Sequence, residues 1–421
     1  MVTWLQNHVV ALLRWSEKYT KTDMVYLASG GFWLVLEQVS GVLLSLAVAI
    51  VFGNFAGKDI YGNYKYVLSL AALLGAVSLS GLGDAVGQAA ARGKDGAILQ
   101  GFKLNLRWSG PFVLATLALA AYYVFVADNL FVALSLVIVA FLQPLSASAL
   151  FFPSFLYGQR DFVRGSLYSI AMNISTYGAV LVALFLGQRA ILLVATYFIA
   201  RTIAALFFTW RAHRQARNTE KDEGLFSFGA HLSLMNIIAI IADKFDSIIV
   251  FSLLGPAQLA TYTFALAAPE QLKGVIKNLY GLALPKFAER PLSDIQRTIW
   301  PKLGLLTLSV AALMGIYILA APLLFSYLFP IYLDAVPFTQ WYALSVIVTG
   351  VSSVLLSALT AHKKTRELYV VSNGAPLLLI VSLAFLVPLF GIAGAVAAQM
   401  LFRVLYAAIA AWQFMHARDN A

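Results

Sequence analysis

The sequence predicts an all-α membrane protein with twelve transmembrane helices. Hydrophobic residues make up 61% of its 421 residues and charged residues 11%, less than half of the roughly 25% that is typical of soluble domains. Long apolar segments follow one another with short loops between them, and about 20 apolar residues suffice for a helix to cross a bilayer. The longest loop lies at about 211–227. These observations exclude an enzyme with a catalytic domain outside the membrane.

The apolar segments are expected to be helical because the bilayer core offers no partner for an unpaired backbone group. In chain order the predicted spans are residues 25–53, 62–90, 109–127, 130–158, 165–187, 190–210, 229–254, 259–284, 303–329, 335–361, 368–390 and 392–414. The first apolar run is too long for a cleavable signal peptide. Residues 1–24 are predicted to form a cytoplasmic tail or an interfacial amphipathic helix, since apolar and charged residues are interspersed there.

The distribution of basic residues predicts the orientation. The two tails and the even-numbered loops contain 21 of the 29 Lys and Arg residues, whereas the odd-numbered loops contain only Lys58 and Arg189. Loops rich in Lys and Arg stay in the cytoplasm. Both termini, including the tail at 415–421, are therefore predicted to be cytoplasmic. The net charge of +10 is explained by this topology, so nucleic acid is not an expected partner.

Short matches between the two halves of the chain indicate an internal repeat with offsets between 198 and 210 residues. The matched sets are Gly57, Tyr64 and Tyr66 with Gly255, Tyr262 and Phe264; Arg201, Ala205 and Trp210 with Arg403, Ala407 and Trp412; and Ala133-Leu134-Ser135 with Ala343-Leu344-Ser345. Six spans per half make the repeats parallel. We therefore expect six-helix bundles at 25–210 and 229–414, joined by a cytoplasmic linker at 211–228.

Ionisable side chains inside the spans are candidate functional residues, because each costs about 2.5–3.5 kcal/mol to place at the bilayer centre. The cations are Lys65, Arg201, Lys244, Lys273, Lys277 and Arg403, and the acids are Glu37, Asp243, Asp246 and Glu270. Two alternatives are open for them: internal ion pairs that fix the helices, or the lining of a polar cavity. The surplus of cations favours an anionic substrate such as a diphosphate.

Spacing along the helices groups several of these residues. Glu270, Lys273 and Lys277 are three and four residues apart and so share one helix face. Lys244 is expected to point away from Asp243 and to pair with Glu37. Lys65 and Lys277 have a second interpretation, in which the side chain snorkels to a membrane surface. The equivalent positions of Arg201 and Arg403 in the two halves favour a shared structural role over direct phosphate contact.

Several motifs resemble the polysaccharide-exporter branch of the MOP superfamily, the Wzx-type lipid-linked oligosaccharide flippases. In the first half they are Gly57, Tyr61-Gly62-Asn63-Tyr64, Ser80-Gly81-Leu82-Gly83 and Ala89-Ala90-Ala91-Arg92-Gly93. In the second half they are Asp246, Gly255, Tyr262, Pro285 and Gly391-Ile392-Ala393-Gly394-Ala395. Each motif is loose, and their order and spacing carry the resemblance over nearly the whole chain. The related peptidoglycan-precursor flippases usually have fourteen spans.

The resemblance implies a MOP/MATE-like fold and a role in surface polysaccharide biosynthesis, such as that of O-antigen. The expected cargo is an undecaprenyl-diphosphate-linked glycan, flipped from the cytoplasmic to the periplasmic leaflet of the bacterial inner membrane by alternating access. The cationic residues named above would line the central cavity, and the four acids would be ion-coupling or cavity carboxylates. No cofactor is expected, since no Walker A loop is present; a proton or sodium gradient is a possible driving force. Membrane lipids, a polysaccharide polymerase and chain-length machinery are the other expected partners.

Two further function classes are alternatives for this sequence. A MATE-type cation-coupled antiporter for drugs or organic ions would require an acid-rich cavity, which the surplus of cations disfavours. A membrane glycan polymerase or glycosyltransferase would require a sizeable periplasmic loop with catalytic residues, whereas Asp59, Asp128 and Asp334 are isolated in very short loops.

Overall fold

The computed structural model of the protein describes residues 24–281, 287, 290–362 and 364–417, with the backbone alone at 24–29, 275–281, 365 and 373. This description does not include residues 1–23 of the predicted tail or interfacial helix, the side chain of Lys277 or residues 418–421. Over the described ranges the chain forms helices and no strand, which confirms the all-α class. The helices are α1 (Met24–Phe55), α2 (Lys58–Leu74), α3 (Leu82–Ala91), α4 (Ala97–Arg107), α5 (Gly110–Phe125), α6 (Leu130–Ala149), α7 (Phe152–Gly158), α8 (Phe162–Leu186), α9 (Ala190–His213), α10 (Leu225–Leu254), α11 (Pro256–Gly281), α12 (Leu292–Leu328), α13 (Val336–Ala361) and α14 (Thr365–His416).

Every predicted span overlaps one or two of these helices. Most ends differ by a few residues, but α12 begins at Leu292, well before the predicted span at 303–329. By length and composition, eight helical segments of the described chain could cross a membrane, or nine if one bent pair counts as a span. The protein is thus a polytopic membrane protein. The count of twelve spans stays a prediction, and the last two predicted spans both lie within α14.

The second predicted span is broken. Its first half is α2, followed by a 3₁₀ turn at Gly75–Val77, and its second half is α3. The two halves are bent by 63° relative to one another. The residues between them, Ser78-Leu79-Ser80-Gly81, contain small and polar side chains that favour turns over a continuous helix. Hydropathy predicted one continuous span at 62–90, because it is insensitive to such a bend.

The chain reverses direction within α14, at Gly391. This glycine has φ 58° and ψ −134°, outside the helical region, and such a positive φ favours a residue without a Cβ. A Cβ added to Gly394 would lie 2.0 Å from the carbonyl oxygen of Leu386. In a straight helix residues eight apart are about 12 Å apart along the axis. The two halves of α14 therefore fold back on one another without an intervening loop.

The described chain divides into two compact units. Unit 1 comprises the described residues of Met1–Val48, Val77–Gly187 and Ile191–Met235, and unit 2 comprises those of Ala49–Ala76, Gln188–Ala190 and Asn236–Ala421. Unit 2 thus includes residues 49–76, which belong to the first bundle in the predicted organisation. The division into two repeated six-helix bundles stays a prediction.

Unit 1 packs its short helices around an aromatic core. α3 lies against α7, α5 against α6, and α7 against α8. Phe152 and Phe155 of α7 are fully buried together with Leu82 and Val86 of α3. Glycine permits the closest approach in this core, since a Cβ at Gly158 would lie 2.2 Å from the carbonyl oxygen of Gly87.

The linker after α9 is held against the loop between α3 and α4 of the same unit. The carboxylate of Asp222 contacts Arg92 at 2.6 Å and Lys94 at 2.8 Å, and its backbone N–H donates to Gln100 Oε1 at 3.0 Å. Asn218 Nδ2 donates to the carbonyl oxygen of Gly93 at 2.8 Å. We call the ionic contacts of Asp222 with Arg92 and Lys94 the linker clasp. They make this stretch of the linker an ordered component of unit 1.

Unit 2 is built around α13, which packs against α11, α12 and α14. Its core includes the fully buried Met314, Leu355 and Phe414. α2 packs against α11 in this unit, at a point where a Cβ on Gly62 would lie 1.8 Å from the carbonyl oxygen of Pro256. This arrangement leaves the polar side chains of α11, α13 and α14 close to one another.

Candidate functional site: a charged cluster within unit 2

Glu270 of α11 is shared by two cations. Lys273, three residues later on the same helix, forms an ion pair with one carboxylate oxygen. Arg403 of α14 forms an ion pair with the other oxygen, and the Tyr342 hydroxyl of α13 donates a hydrogen bond to it. We call Glu270, Lys273, Tyr342 and Arg403 the Glu270 cluster. It joins three helices of unit 2 through charge-assisted hydrogen bonds, which are about twice as strong as neutral ones.

Arg403 is held in place on several sides. Its Nη1 donates to Thr349 Oγ1 at 3.0 Å, and its guanidinium carbon lies 4.7 Å from the centroid of the Tyr342 ring. The residue is only 6% exposed. Its Nε is buried without a hydrogen-bond partner among the described residues, and such a donor normally has a partner such as water or a ligand oxygen.

The Glu270 cluster carries a net positive charge, because one carboxylate faces two cations. The two partners nearest the surface are Lys273, whose side chain is 29% exposed, and Glu270, at 33%. Arg403 lies beneath them. A negatively charged group that approaches the exposed side would thus meet a net positive charge, part of which comes from the buried guanidinium beneath the surface. Lys277 follows Lys273 by one helical turn on α11, with its side chain outside the description.

A second cluster surrounds Asp246 of α10, which is 6% exposed. Its Oδ2 accepts hydrogen bonds from the Tyr262 hydroxyl at 2.7 Å and from Gln399 Nε2 at 3.0 Å. Gln399 and Arg403 are four residues apart on α14 and share a face, so this cluster adjoins the Glu270 cluster along that helix. Over the described part of the chain, Asp246 forms no ion pair. It is a carboxylate held by neutral donors.

In unit 1, Glu37 of α1 accepts a hydrogen bond from the Tyr157 hydroxyl of α7. The same hydroxyl lies 3.5 Å from Ser166 Oγ. Arg201 of α9 lies over the ring of Tyr197, 5.8 Å from its centroid. The structure therefore places Glu37 and Arg201 in unit 1, whereas the other predicted site residues lie in unit 2.

The remaining predicted residues lie apart from the Glu270 cluster. Lys65 of α2 lies 5.5 Å from the Tyr61 ring centroid. Lys244 forms an ion pair with Asp243 at 2.7 Å, and the Asp243 side chain is 70% exposed. The expectation that Lys244 points away from Asp243 is wrong. Adjacent residues on a helix point about 100° apart, but the flexible lysine stem bridges this gap.

Sequence analysis missed the neutral polar residues that hold these charges. Tyr342, Tyr157 and Gln399 each hydrogen-bond to a carboxylate inside a unit, yet a tyrosine or glutamine in an apolar segment carries no charge signal. Tyr262 was noted only for its place in the repeat and in the family resemblance. One available signal was the hydroxyl group itself, because a buried tyrosine hydroxyl usually has a hydrogen-bond partner. Throughout the described ranges, no group of three or more His, Asp or Glu side chains is placed to hold a metal ion.

Comparison with known proteins gives the chain a family context. The profile of the polysaccharide biosynthesis protein family matches residues 27–289, more than half of the chain. No curated protein sequence matches it significantly. An outward-facing MATE multidrug resistance transporter of the MOP superfamily is similar in structure, with a TM-score of 0.61 at 13% identity over 93% of this chain and 94% of that one.

Two other solved structures extend this likeness. The lipid II flippase MurJ, in an inward closed conformation, has a TM-score of 0.63 at 12% identity over 91% of this chain and 87% of its own. A MOP superfamily transporter from Pyrococcus furiosus, described by the reversed polarity of its binding pocket, has a TM-score of 0.54 at 13% identity over 93% and 95% of the two chains. The MOP/MATE-like fold predicted for this chain is thus confirmed.

Proposed function

Because the chain belongs to the polysaccharide biosynthesis protein family, we propose that it is a Wzx-type flippase that moves a lipid-diphosphate-linked glycan across the membrane. The single observation that carries the cargo assignment is the Glu270 cluster. It brings two cations to one carboxylate between α11 and α14 of unit 2. Removing a net charge from water is costly, and a negatively charged cargo would offset that cost during its passage.

A diphosphate matches this cluster in chemistry. A guanidinium presents a planar fork of donors to phosphate oxygens, and an ammonium group supplies a compact charge that follows the ligand. Arg403 is held by Thr349, Tyr342 and Glu270, so its donors are pre-oriented, whereas Lys273 is more exposed and carries the more mobile charge. We expect Lys273 to contact the phosphates first and Arg403 to stabilise them through its local field. The description of MurJ as a lipid II flippase supports a lipid-linked cargo.

The proposed cycle is alternating access in the inner membrane, from the cytoplasmic to the periplasmic leaflet, with both termini in the cytoplasm. The concentration of basic residues in the even-numbered loops supports this orientation. MATE-family relatives are known in outward-facing and inward-facing conformations, which supports the same type of cycle here. This proposal also includes the undecaprenyl carrier and a role in O-antigen synthesis. It further includes contacts with a polymerase or with chain-length machinery.

Coupling to a proton or sodium gradient is proposed to involve the carboxylates that have neutral partners. Asp246 is held by Tyr262 and Gln399, and Glu37 by Tyr157. A carboxylate with only neutral donors can accept a proton or a cation without breaking an ion pair. Glu270, which already has two cationic partners, is less suited to this role. Lys65, Lys244, Lys277 and Arg201 remain proposed cavity residues, and Asp243 a proposed cavity carboxylate.

The alternative is a MATE-type antiporter for organic cations. MATE structures are among those similar to this chain, which supports this alternative at the level of fold. The charge of the Glu270 cluster favours the flippase, because two cations beside one acid would repel a cationic drug. The two proposals therefore predict opposite signs of charge for the cargo.

Flipping in proteoliposomes tests the proposal. The vesicles contain the purified full-length protein and a fluorescent lipid-diphosphate oligosaccharide, and a membrane-impermeant quencher reports the leaflet. We expect the wild-type protein to move the lipid and Lys273→Gln to slow it at least about tenfold, which corresponds to about 1.4 kcal/mol. The melting temperature of the variant should stay close to that of the wild type.

Lys302→Gln is the matched control, because it removes one exposed cation from α12 of the same unit and should leave the rate unchanged. If Lys273→Gln flips the lipid as fast as the wild type, the role assigned to the Glu270 cluster is wrong. If the wild-type vesicles exchange organic cations and leave the lipid in place, the antiporter is correct.

A further inference from the structure

A cluster of arginines surrounds the end of α9 in unit 1. Its members are Arg160, Arg164, Arg211, Arg214 and Arg217. Arg164 Nη1 donates to Gln215 Oε1 at 3.1 Å, and Gln215 Nε2 donates to the Tyr168 hydroxyl at 3.0 Å. These contacts bring the start of α8 next to the end of α9, and they place the Arg164 guanidinium beside the turn that carries Arg214.

Aromatic rings mark this end of α9 as a membrane-interface position. Phe207 is 51% exposed and Trp210, three residues later, is 46% exposed, with 6.0 Å between their ring centroids. The Arg214 guanidinium carbon lies 4.2 Å from the Trp210 ring centroid. Exposed aromatic rings followed at once by arginines are the arrangement expected where lipid tails give way to headgroups.

The backbone at Arg160 has an uncommon conformation. It has φ 66°, in the left-handed region where glycine or asparagine is favoured and other side chains carry a steric cost. The turn between α7 and α8 thus holds an arginine where a smaller residue would fit with less strain. Such outliers cluster at functional sites, and this one lies two residues before the start of α8, the helix that carries Arg164.

Two acids adjoin the cluster. Asp161 pairs with Arg164 at 3.2 Å, and Asp95 Oδ2 accepts a hydrogen bond from the backbone N–H of Arg217 at 2.7 Å. Within the part of the chain that the structure describes, the side chains of Arg211, Arg214 and Arg217 form no ion pair. Arg211, Arg214 and Arg217 are also exposed. The Arg164 and Arg214 guanidinium groups therefore both lie at the end of α9, next to the exposed Trp210 ring.

We propose that the arginine cluster and the Trp210 ring together form a surface that binds the headgroup phosphate of an anionic phospholipid of the surrounding bilayer. Guanidinium groups bind phosphate oxygens in a bidentate fashion, and basic clusters at helix ends attract anionic headgroups. The Trp210 and Phe207 rings would lie against the first carbons of the acyl chains. The bound lipid would belong to the bilayer rather than to the cargo, so this site is independent of the proposed transport function.

Lipid titration of the purified full-length protein tests the proposal. The protein is kept in mixed micelles that contain phosphatidylcholine, and short-chain phosphatidylglycerol is added while native mass spectrometry counts bound lipids. We expect saturable binding of phosphatidylglycerol by the wild-type protein, and a rise in Kd of at least about tenfold for the double variant Arg164→Gln/Arg214→Gln.

A double variant in α4 of the same unit controls for total charge. Lys103→Gln/Arg107→Gln also removes two exposed cations and should bind phosphatidylglycerol as the wild type does. Arg164→Lys/Arg214→Lys keeps the charge but removes the guanidinium fork, and it should bind with intermediate affinity even if the glutamine variant proves unstable.

The proposal fails if the two glutamine double variants lose affinity equally, since binding would then depend on net charge alone. It also fails if the lysine variant, correctly folded, binds as tightly as the wild type. Displacement of phosphatidylglycerol by an acidic peptide at lower concentration than by the lipid itself would assign the surface to a protein partner instead. None of these outcomes depends on whether the protein flips a glycan.

Discussion

Two charged clusters of this protein have the same composition, one carboxylate between two cations, in different surroundings. The linker clasp in unit 1 joins Asp222 to two cations of the loop 92–94, at 2.6 and 2.8 Å. The Glu270 cluster in unit 2 joins a glutamate to Lys273 and Arg403 within helices predicted to cross the membrane. The first lies in a loop, and the second lies between apolar segments.

The difference shows why position decides what an ion cluster does. In the linker clasp the Arg92 side chain is 53% exposed, so water solvates it whether or not the clasp is closed, and the clasp can contribute only modestly to stability. In the Glu270 cluster the Arg403 side chain is 7% exposed, so loss of its partner leaves a charge without water. A buried ion pair is weak evidence for a contribution to stability, because the cost of desolvation offsets the attraction between the charges. This supports a functional role for the Glu270 cluster and a structural role for the linker clasp.

The largest effect is expected for Glu270→Gln. This change leaves the buried Arg403 without its counter-ion and should lower the free energy of unfolding by about 3 kcal/mol. Unfolding in detergent, followed by intrinsic fluorescence, measures it. The double variant Glu270→Gln/Arg403→Gln should recover much of the loss, because no uncompensated charge remains on Arg403. An unchanged stability of the single variant would show that Arg403 is not buried as described.

A smaller effect is expected for Tyr342→Phe. The change removes a hydroxyl that hydrogen-bonds to both Glu270 and Arg403, and hydrogen bonds to charged groups contribute about 1.5 kcal/mol or more. The stability should fall by about that amount in the same unfolding experiment. Tyr406→Phe is the control, since over the described residues its hydroxyl has no hydrogen-bond partner, and it should be nearly neutral. Equal effects of the two changes would contradict a special role for the Tyr342 hydroxyl.

For the linker clasp, Asp222→Asn should cost at most about 1 kcal/mol, because both cationic partners are partly exposed. The effect should be local. Hydrogen exchange followed by mass spectrometry should show faster exchange at residues 214–224, up to about fivefold, with the helices unchanged. Asp84→Asn, an exposed acid near the start of α3, should leave exchange in the linker as it is. A global destabilisation by Asp222→Asn would place the linker clasp in the same class as the Glu270 cluster.

The smallest effect near neutral pH is expected from protonation of Asp222. The hydrogen bond from Lys94, together with the charge of Arg92, holds the pKa of this carboxyl below its ordinary value of 3.8. A lowered pKa in the folded state means that the stabilisation is present above about pH 3.8 and is lost as the pH falls through the folded value. Exchange at 214–224, corrected for the intrinsic pH dependence, should therefore be constant from pH 8 to 5. Loss of protection already at pH 6 would contradict this assignment.

The helices could be predicted from the sequence because hydropathy and the cost of an unpaired backbone group determine them locally. Even so, hydropathy could not show that 62–90 contains a 63° bend or that two predicted spans share α14. The pairing of Glu270 with Lys273 could also be predicted, because it follows from helical spacing. The helices and this pairing are both determined by residues that are close together in the sequence.

The long-range contacts of the site could not be predicted in this way. Arg403 lies 133 residues from Glu270 in the chain, and only the packing of α14 against α13 and of α13 against α11 brings them together. Gln399 and Tyr342 carry no charge, so nothing in the sequence distinguishes them from other polar residues in spans. Lys244 was predicted to pair with the distant Glu37, but its contact is with the preceding residue, Asp243. The sign of the charge on each side chain could be read from the sequence, but the residue with which it pairs could not.

The reversal at Gly391 has a consequence for how the protein is made. Because a single residue separates the two arms of α14, neither arm can be released into the lipid while the other waits in the translocation channel. The two arms should enter the bilayer together as a helical hairpin. An epitope tag inserted at this glycine would separate the arms, and the nascent chain should then become a substrate for membrane proteases.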